Sequence, residues 1–294
     1  MKKILVTGAN SYIGTSFETW VSQYPDKYSV ERISLRDDLW KEVSFKDYDV
    51  VFHTAAIVHV KENDESEYYR VNTDLTIEIA QKAKREAVQQ FIFLSTMGVY
   101  GTETGYITKE TPPTPKTPYA KSKYEAEKAL SEMHSSDFNI AILRPPIVYG
   151  KGCPGNYRKL ANMAIKLPFF PRVENERSMI YIDHLSEFIR LIIEKRIGGI
   201  LFPQNKEYVN TTKLVRHVSA AYNKDIKVSK LFNWAISLGQ KNSDVFRKVF
   251  GTFIYDKAMP GGPGFKVVGE SLDYETTSFE ESIKCTEGRE QSNE

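Results

Sequence analysis

The stretch PTPKTPYAKSKYEAEKAL contains two tyrosines, Tyr119 and Tyr124, each followed four residues later by a lysine, Lys123 and Lys128. On a helix that spacing puts phenol and ammonium on one face. A phenol titrates near pH 10, and a cation beside it favours the phenolate, so such a pair could exchange protons with a hydroxyl or carbonyl group. Tyr124 lies well around a cylinder of about 3.6 residues per turn from Tyr119, so the two pairs cannot both face one pocket. Tyr124 and Lys128 stand among Glu125, Glu127 and Glu132 and also read as a solvent-side pair. Thr117-Pro118 starts the helix, which places Tyr119 and Lys123 in its first turns.

A second chemical signal is TGANSYIG, after the apolar run KKILV. A glycine-rich turn between a first strand and a first helix aims backbone N–H groups and the positive helix end at a pyrophosphate. Gly8 and Gly14 suit the turn, and Ser11 stands where a middle glycine is usual, with Asn10, Tyr12 and Ile13 alongside. After the second strand comes ISLRDD. A carboxylate there would hold the ribose 2′-hydroxyl of NAD, whereas arginine accommodates the 2′-phosphate of NADP. Arg36 is the first charge after the apolar run, so NADP(H) is favoured over NAD(H). His53, His59, His134, His184 and His217 show no metal-ligand spacing. His53 is expected at a strand end and the others in loops or on solvent faces, with no metal site. Cys153 and Cys285 are too few for a zinc site or a disulfide framework.

The elements that must position these residues alternate in type. KKILVTG, YSVERISLR, DYDVVFHTAA, QQFIFLST and NIAILRPP read as buried strands, and helical patterns lie between them. That order predicts an α/β, Rossmann-type, doubly wound parallel sheet with helices on both faces. Residues 1–148 form the expected dinucleotide-binding domain, to which 183–205 return. A smaller substrate-binding region over 149–182 and 206–285 is expected above the strands' carboxyl ends, where such sheets bind ligands. FIYDKAMPGGPGFKV reads as loop and 286–294 as a disordered tail. The charges, 40 basic and 38 acidic, are mixed along the chain and net to +2, which gives no reason to expect a nucleic-acid partner. No run reaches the roughly 18 apolar residues of a membrane span, and the N-terminal apolar run is too short for a signal peptide. The expectation is a cytoplasmic protein.

With these residues in place, the chain resembles the extended short-chain dehydrogenase/reductase superfamily, in its nucleotide-sugar epimerase, dehydratase and ketoreductase branch. The resemblance covers about the first 205 residues. It is carried by TGANSYIG, DVVFHTAA, VNTDLT, FLSTMGVYG, PYAKSKYEAE and LRPPIVYGKG, in family order. It implies that Tyr119 and Lys123 are the catalytic pair and that Thr96, with Ser95 as runner-up, hydrogen-bonds the substrate oxygen. It implies further that Thr54, Ala55, Ala56, Ser95 and Pro146 line the cofactor and that Asn72 supports the site from its helix. ERSMIYIDHL resembles the segment whose arginine, here Arg177, binds a nucleotide's diphosphate, and Asn156 is a candidate contact to the nucleotide sugar. Met97-Gly98 stand where the family's dehydratases carry Asp-Glu, which argues against dehydration.

The resemblance thus implies an NAD(P)-dependent enzyme acting on a nucleotide-diphosphate sugar, with UDP the expected nucleotide, in polysaccharide biosynthesis. Reduction of a 4-keto sugar is favoured over 4-epimerisation with captive NAD. Arg36, the short segment before DYDVVFH and Pro145-Pro146 carry that preference. A reductase of neutral ketones would share every catalytic residue, but Arg177 and the Lys151, Arg158, Lys159 loop favour an anionic substrate. Dinucleotide-binding sensors of this fold typically lack the Tyr or the Lys. The family also implies a homodimer through the tyrosine helix and the helix before it.

Overall fold

The computed structural model describes residues 1–58, 64–231, 243–267 and 269–288; His59 and residues 289–294 of the tail lie outside them. In chain order come β1 (Lys2–Thr7), α1 (Tyr12–Val21), β2 (Tyr28–Ile33), β3 (Val50–His53), α2 (Glu65–Tyr69), α3 (Leu75–Arg85) and β4 (Gln90–Leu94). Then follow β5 (Gly105–Ile107), α4 (Pro118–Met133), β6 (Asn139–Leu143), β7 (Ile147–Tyr149), α5 (Asn156–Lys166), β8 (Phe169–Pro171) and β9 (Met179–Tyr181). The remainder includes α6 (Ile182–Glu194), β10 (Gly199–Leu201), α7 (Thr211–Ala221), β11 (Lys227–Ser229), β12 (Phe253–Tyr255) and helices Asp244–Phe250 and Phe279–Thr286. None of the described helices is long and apolar enough to cross a membrane.

The chain divides into two compact units, the first comprising 1–101, 112–145 and 186–203. Its centre is a six-stranded sheet in the order β10-β6-β4-β3-β1-β2, with every neighbour parallel. The strand order reverses beside β1, the arrangement of a doubly wound α/β sheet. Central strands are largely apolar because helices cover both faces: β3 and β4 are buried at every residue, with His53 and Gln90 the polar residues at their ends. β2 departs from the expected fully buried strand. It lies at the sheet edge and ends at Ile33, with Ser29, Glu31 and Arg32 exposed, because an edge strand keeps one side in water.

On one face, Ile79, Ala80 and Ala83 of α3 and Ala126 and Leu130 of α4 pack with Leu5, Val51, Phe91, Phe93 and Ile140. The buried stripe of α4 recurs at helical spacing through Ala120, Lys123, Glu127 and Leu130, so two charged residues sit where apolar ones are the rule. The outward positions of α4 carry Lys121, Glu125, Lys128 and Glu132. Lys128 pairs with Glu125 at 2.7 Å and lies over the Tyr124 ring, so that second tyrosine–lysine pair is a surface feature.

The second unit comprises 102–111, 146–185 and 204–294, within which the limits above apply. It contains three short parallel pairings, β7 with β9, β8 with β11 and β5 with β12. The last corrects the reading of FIYDKAM as loop. Phe253, Ile254 and Tyr255 are all buried, but three residues before a Gly/Pro run are too few to display a strand's period.

Candidate active site

In the first unit the candidate residues gather at the carboxyl ends of β1, β3 and β4. Ser11 caps α1, its hydroxyl accepting from Gly14 N at 3.2 Å, with φ −66° and ψ 130°. That extended backbone suits any residue, so serine replaces the usual glycine at no conformational cost. Gly8 has φ +105°, and a Cβ there would lie 2.9 Å from Ala55 N. Gly8→Ala is expected to cost about 1–3 kcal/mol of stability through strain. It should also lower dinucleotide content at least tenfold, both read on purified protein by thermal melting and absorbance. Thr54 donates from Oγ1 to Thr7 O at 2.8 Å, which joins the end of β3 to the turn. Asn10 and Ala56 are exposed, and Tyr12, Ile13 and Ala55 half-buried.

Arg32, not Arg36, reaches the glycine-rich turn: it donates to Ala9 O and pairs with Glu18 at 2.7 Å. Arg36 is exposed, and its N–H donates to the Ser34 hydroxyl at 3.2 Å. The Asp37 carboxylate beside it is taken up in capping Leu39 N.

Thr96 caps the short 3₁₀ turn Met97–Tyr100, its Oγ1 accepting from Gly98 N at 3.0 Å. A Cβ on Gly98 would stand 4.0 Å from Ala120 Cβ, so this turn packs against the first turn of α4. Thr117 caps α4, accepting from Ala120 N at 3.2 Å, with Pro118 leading the helix as expected. Thr96, Tyr119 and Lys123 are thereby collected at the end of β4. Ser95 is drawn away from them: its hydroxyl is donated to Glu127. Asn72 is buried in a π-type turn, Arg70–Asp74. Its amide accepts from Ile57 N at 2.9 Å and donates to Ile57 O and to the Ser122 hydroxyl. It pins the loop after β3 to α4 and offers both amide hydrogens to the chain. Pro146 is buried at the start of the second unit.

The electrostatics differ from the simple tyrosine–lysine expectation. Burial pushes the Tyr119 phenol up to about 12, opposite to the expected lowering. Burial likewise pushes the Lys123 ammonium down to about 7, against the nearby Glu127 carboxylate, so it is a weaker cation than an exposed lysine. Its Nζ stands 4.3 Å from the Phe93 ring centroid and, among the described residues, meets no hydrogen-bond acceptor. His53 is fully buried at the end of β3, bridging Thr7 and Thr76 hydroxyls at 2.7 and 2.9 Å, and burial holds its ring neutral, down to about 3. His184 is also buried, bonded to Asn205 at 3.0 Å, which corrects its reading as a surface residue. The Lys123 amine over the Phe93 ring and a turn after β1 with room only for glycine fit a dinucleotide's ribose hydroxyls and pyrophosphate.

In the second unit Arg177 and Asn156 line one partly open pocket, with Tyr157, Thr211 and Lys248 among otherwise apolar walls. Arg177 is 7% exposed. Nη1 donates to Gly251 O at 2.9 Å and Arg247 O at 3.4 Å, and Nε has no partner among the described residues. No described carboxylate pairs with it, so the surface salt bridge to Glu174 or Glu176 is not formed. Burial pulls the guanidinium down to about 10. The Glu103 carboxylate opposes that effect without forming a salt bridge to Arg177, and a buried cation lacking a directly paired carboxylate favours an anionic ligand. Sequence reasoning passed over Glu127 and Arg144, although both fall inside the motifs that carried the resemblance.

These features agree with relatives found by comparison. A UDP-glucose 4-epimerase of Vibrio cholerae is 32% identical over 286 residues, spanning 87% of each chain. An N-acetyl-α-D-glucosaminyl-diphospho-ditrans,octacis-undecaprenol 4-epimerase of Escherichia coli O157:H7 is 26% identical over 267 residues, 84% of this chain and 81% of its own. The fold is that of the UDP-glucuronic acid 4-epimerase of Bacillus cereus in complex with NAD, with TM-score 0.71 at 20% identity over 98% of each chain. Residues 4–201 match one protein family, and with the relative of 32% identity across nearly the whole length they place the chain: it belongs to the NAD dependent epimerase/dehydratase family.

Proposed function

We propose that the protein is a nucleotide-sugar 4-epimerase that works on bound NAD. The observation that carries the reading is the similarity to a 4-epimerase along 87% of both chains. This moves the preference away from 4-keto reduction and NADP(H), because the features behind that preference lie outside the reacting residues. Tyr119, Lys123 and Thr96 serve either reaction, and Arg36 is exposed without contacting the dinucleotide turn.

NAD held at the Gly8 turn would supply the hydride acceptor and donor for carbon 4 of the sugar. Tyr119 takes the proton of the 4-hydroxyl and later returns one to the same oxygen. The Thr96 hydroxyl donates to that oxygen and keeps it beside the phenol. Lys123 binds the ribose and lends positive charge to the phenolate. Arg177 meets the diphosphate, its fork matching two oxygens.

Incubation with UDP-glucose and with UDP-N-acetylglucosamine, followed by separation of 4-epimers, tests the reaction; cofactor content is read from the same preparation. Retained NAD with interconversion of a 4-epimer pair supports the reading. Cofactor-free protein that reduces a 4-keto sugar with NADPH would return the reductase. For Arg177→Ala, KM for the nucleotide sugar is expected to rise about 10- to 150-fold, the worth of hydrogen bonds to a charged group.

A further inference from the structure

The buried face of α4 carries an ion pair that the reaction above does not use. Glu127 and Lys123 are each 2% exposed and one helical turn apart. The Glu127 carboxylate accepts from Arg144 Nε at 3.1 and 3.2 Å, from Arg144 Nη2, and from the Ser95 hydroxyl. Arg144 stands just past β6, 4% exposed, and its Nη1 donates to the Tyr100 hydroxyl at 3.0 Å. Ser95 N donates to Leu143 O at 2.7 Å and Met97 N to Pro145 O at 3.1 Å, so the segment bearing Thr96 is laced to the end of β6 on both sides. One carboxylate therefore joins α4, the residue before Thr96 and the end of β6. A buried pair of this kind is poor evidence for stability, since well-packed apolar residues can do as well in its place.

We infer that Glu127, held by Arg144 and Ser95, is a positioning residue: it fixes the helix bearing Tyr119 and Lys123 against the strand end bearing Thr96, and supplies the negative charge behind Lys123. The groups facing the Lys123 amine are few. From β3 comes His53, neutral; from β4 the Phe93 ring; from its own helix Glu127, with Tyr119 one turn before it in sequence. Arg144 and Tyr100 stand behind Glu127. Glu127 is thus the anion that opposes the effect of burial on the lysine.

This inference rests on the proposed reaction for its kinetic readout, so the experiment includes one that needs no sugar. Glu127→Gln keeps the shape and removes the charge. The double variant Glu127→Leu/Arg144→Met removes both charges and guards against misfolding of the single one. The expected result is a kcat lowered about 10- to 100-fold with KM within threefold. NADH affinity, followed by fluorescence from pH 6 to pH 9, should fall away about one pH unit lower than in the parent protein. The double variant should melt near the parent temperature yet retain both defects. If a folded variant keeps kcat and the pH dependence of NADH affinity within twofold and a few tenths of a pH unit, the pair only supports the core and the inference is wrong. If the parent protein epimerises no sugar, the function proposal fails, and the NADH titration alone decides Glu127.

Discussion

Replacement of Tyr119 by phenylalanine should lower kcat by about 10²- to 10⁴-fold, the usual worth of a positioned acid–base group. The melting temperature should not move. The phenol is half-buried in the first turn of α4, its ring edge-on to Tyr68 at 6.5 Å, and its hydroxyl makes no hydrogen bond among the described residues. Phenylalanine therefore keeps the ring contact and loses only the hydroxyl with its proton. Because burial pushes the phenol up to about 12, the chain alone does not make a phenolate at neutral pH. Positive charge brought in with the cofactor would supply the missing stabilisation. A Tyr119→Phe protein that retains a tenth of its activity would move the acid–base role to another group, with Thr96 the nearest alternative.

Lys123→Met has the second large effect, and its two parts have opposite signs. The lysine's burial holds its ammonium down to about 7 from the ordinary 10.5. Below pH 7 both folded and unfolded chains carry the proton, and burial of the charge costs folding on the order of 5 kcal/mol. As pH rises from about 7 toward 10.5 the unfolded chain binds the proton that the folded chain has lost, so the cost shrinks and then vanishes. The parent protein should consequently melt higher at pH 9 than at pH 7 through this group. Lys123→Met should melt several degrees above the parent at pH 7, and the difference should close by pH 10. Activity should fall at least about 10²-fold, since the amine is the cation nearest the tyrosine on its helix face. Melting curves from pH 6 to pH 10 decide the first part. No gain at pH 7 would mean that the ammonium is solvated where it lies. Stability surrendered at a functional position is what a stability–activity trade-off predicts.

The local chemistry was written in the sequence because it depends on near neighbours. A four-residue spacing puts Tyr119 and Lys123 on one face, Thr117-Pro118 starts their helix, and the glycine turn after β1 opens α1. Each follows from helical period, capping or φ alone. Alternating strands and helices likewise determined the parallel α/β sheet, through the burial each pattern demands. What tertiary structure decided depends on partners distant along the chain. Only the sheet order makes β2 an edge strand and leaves Arg32, rather than Arg36, on the dinucleotide turn. Ser95 and Thr96 are adjacent and chemically alike, yet the fold donates one hydroxyl to Glu127 and leaves the other beside α4. Arg177 follows Glu174 and Glu176 in sequence, but it pairs with neither and turns to backbone carbonyls beside a cavity. Burial, too, set the directions in which Tyr119 and Lys123 titrate, because desolvation is a property of the packed interior and outweighs the charge of a neighbour one turn away.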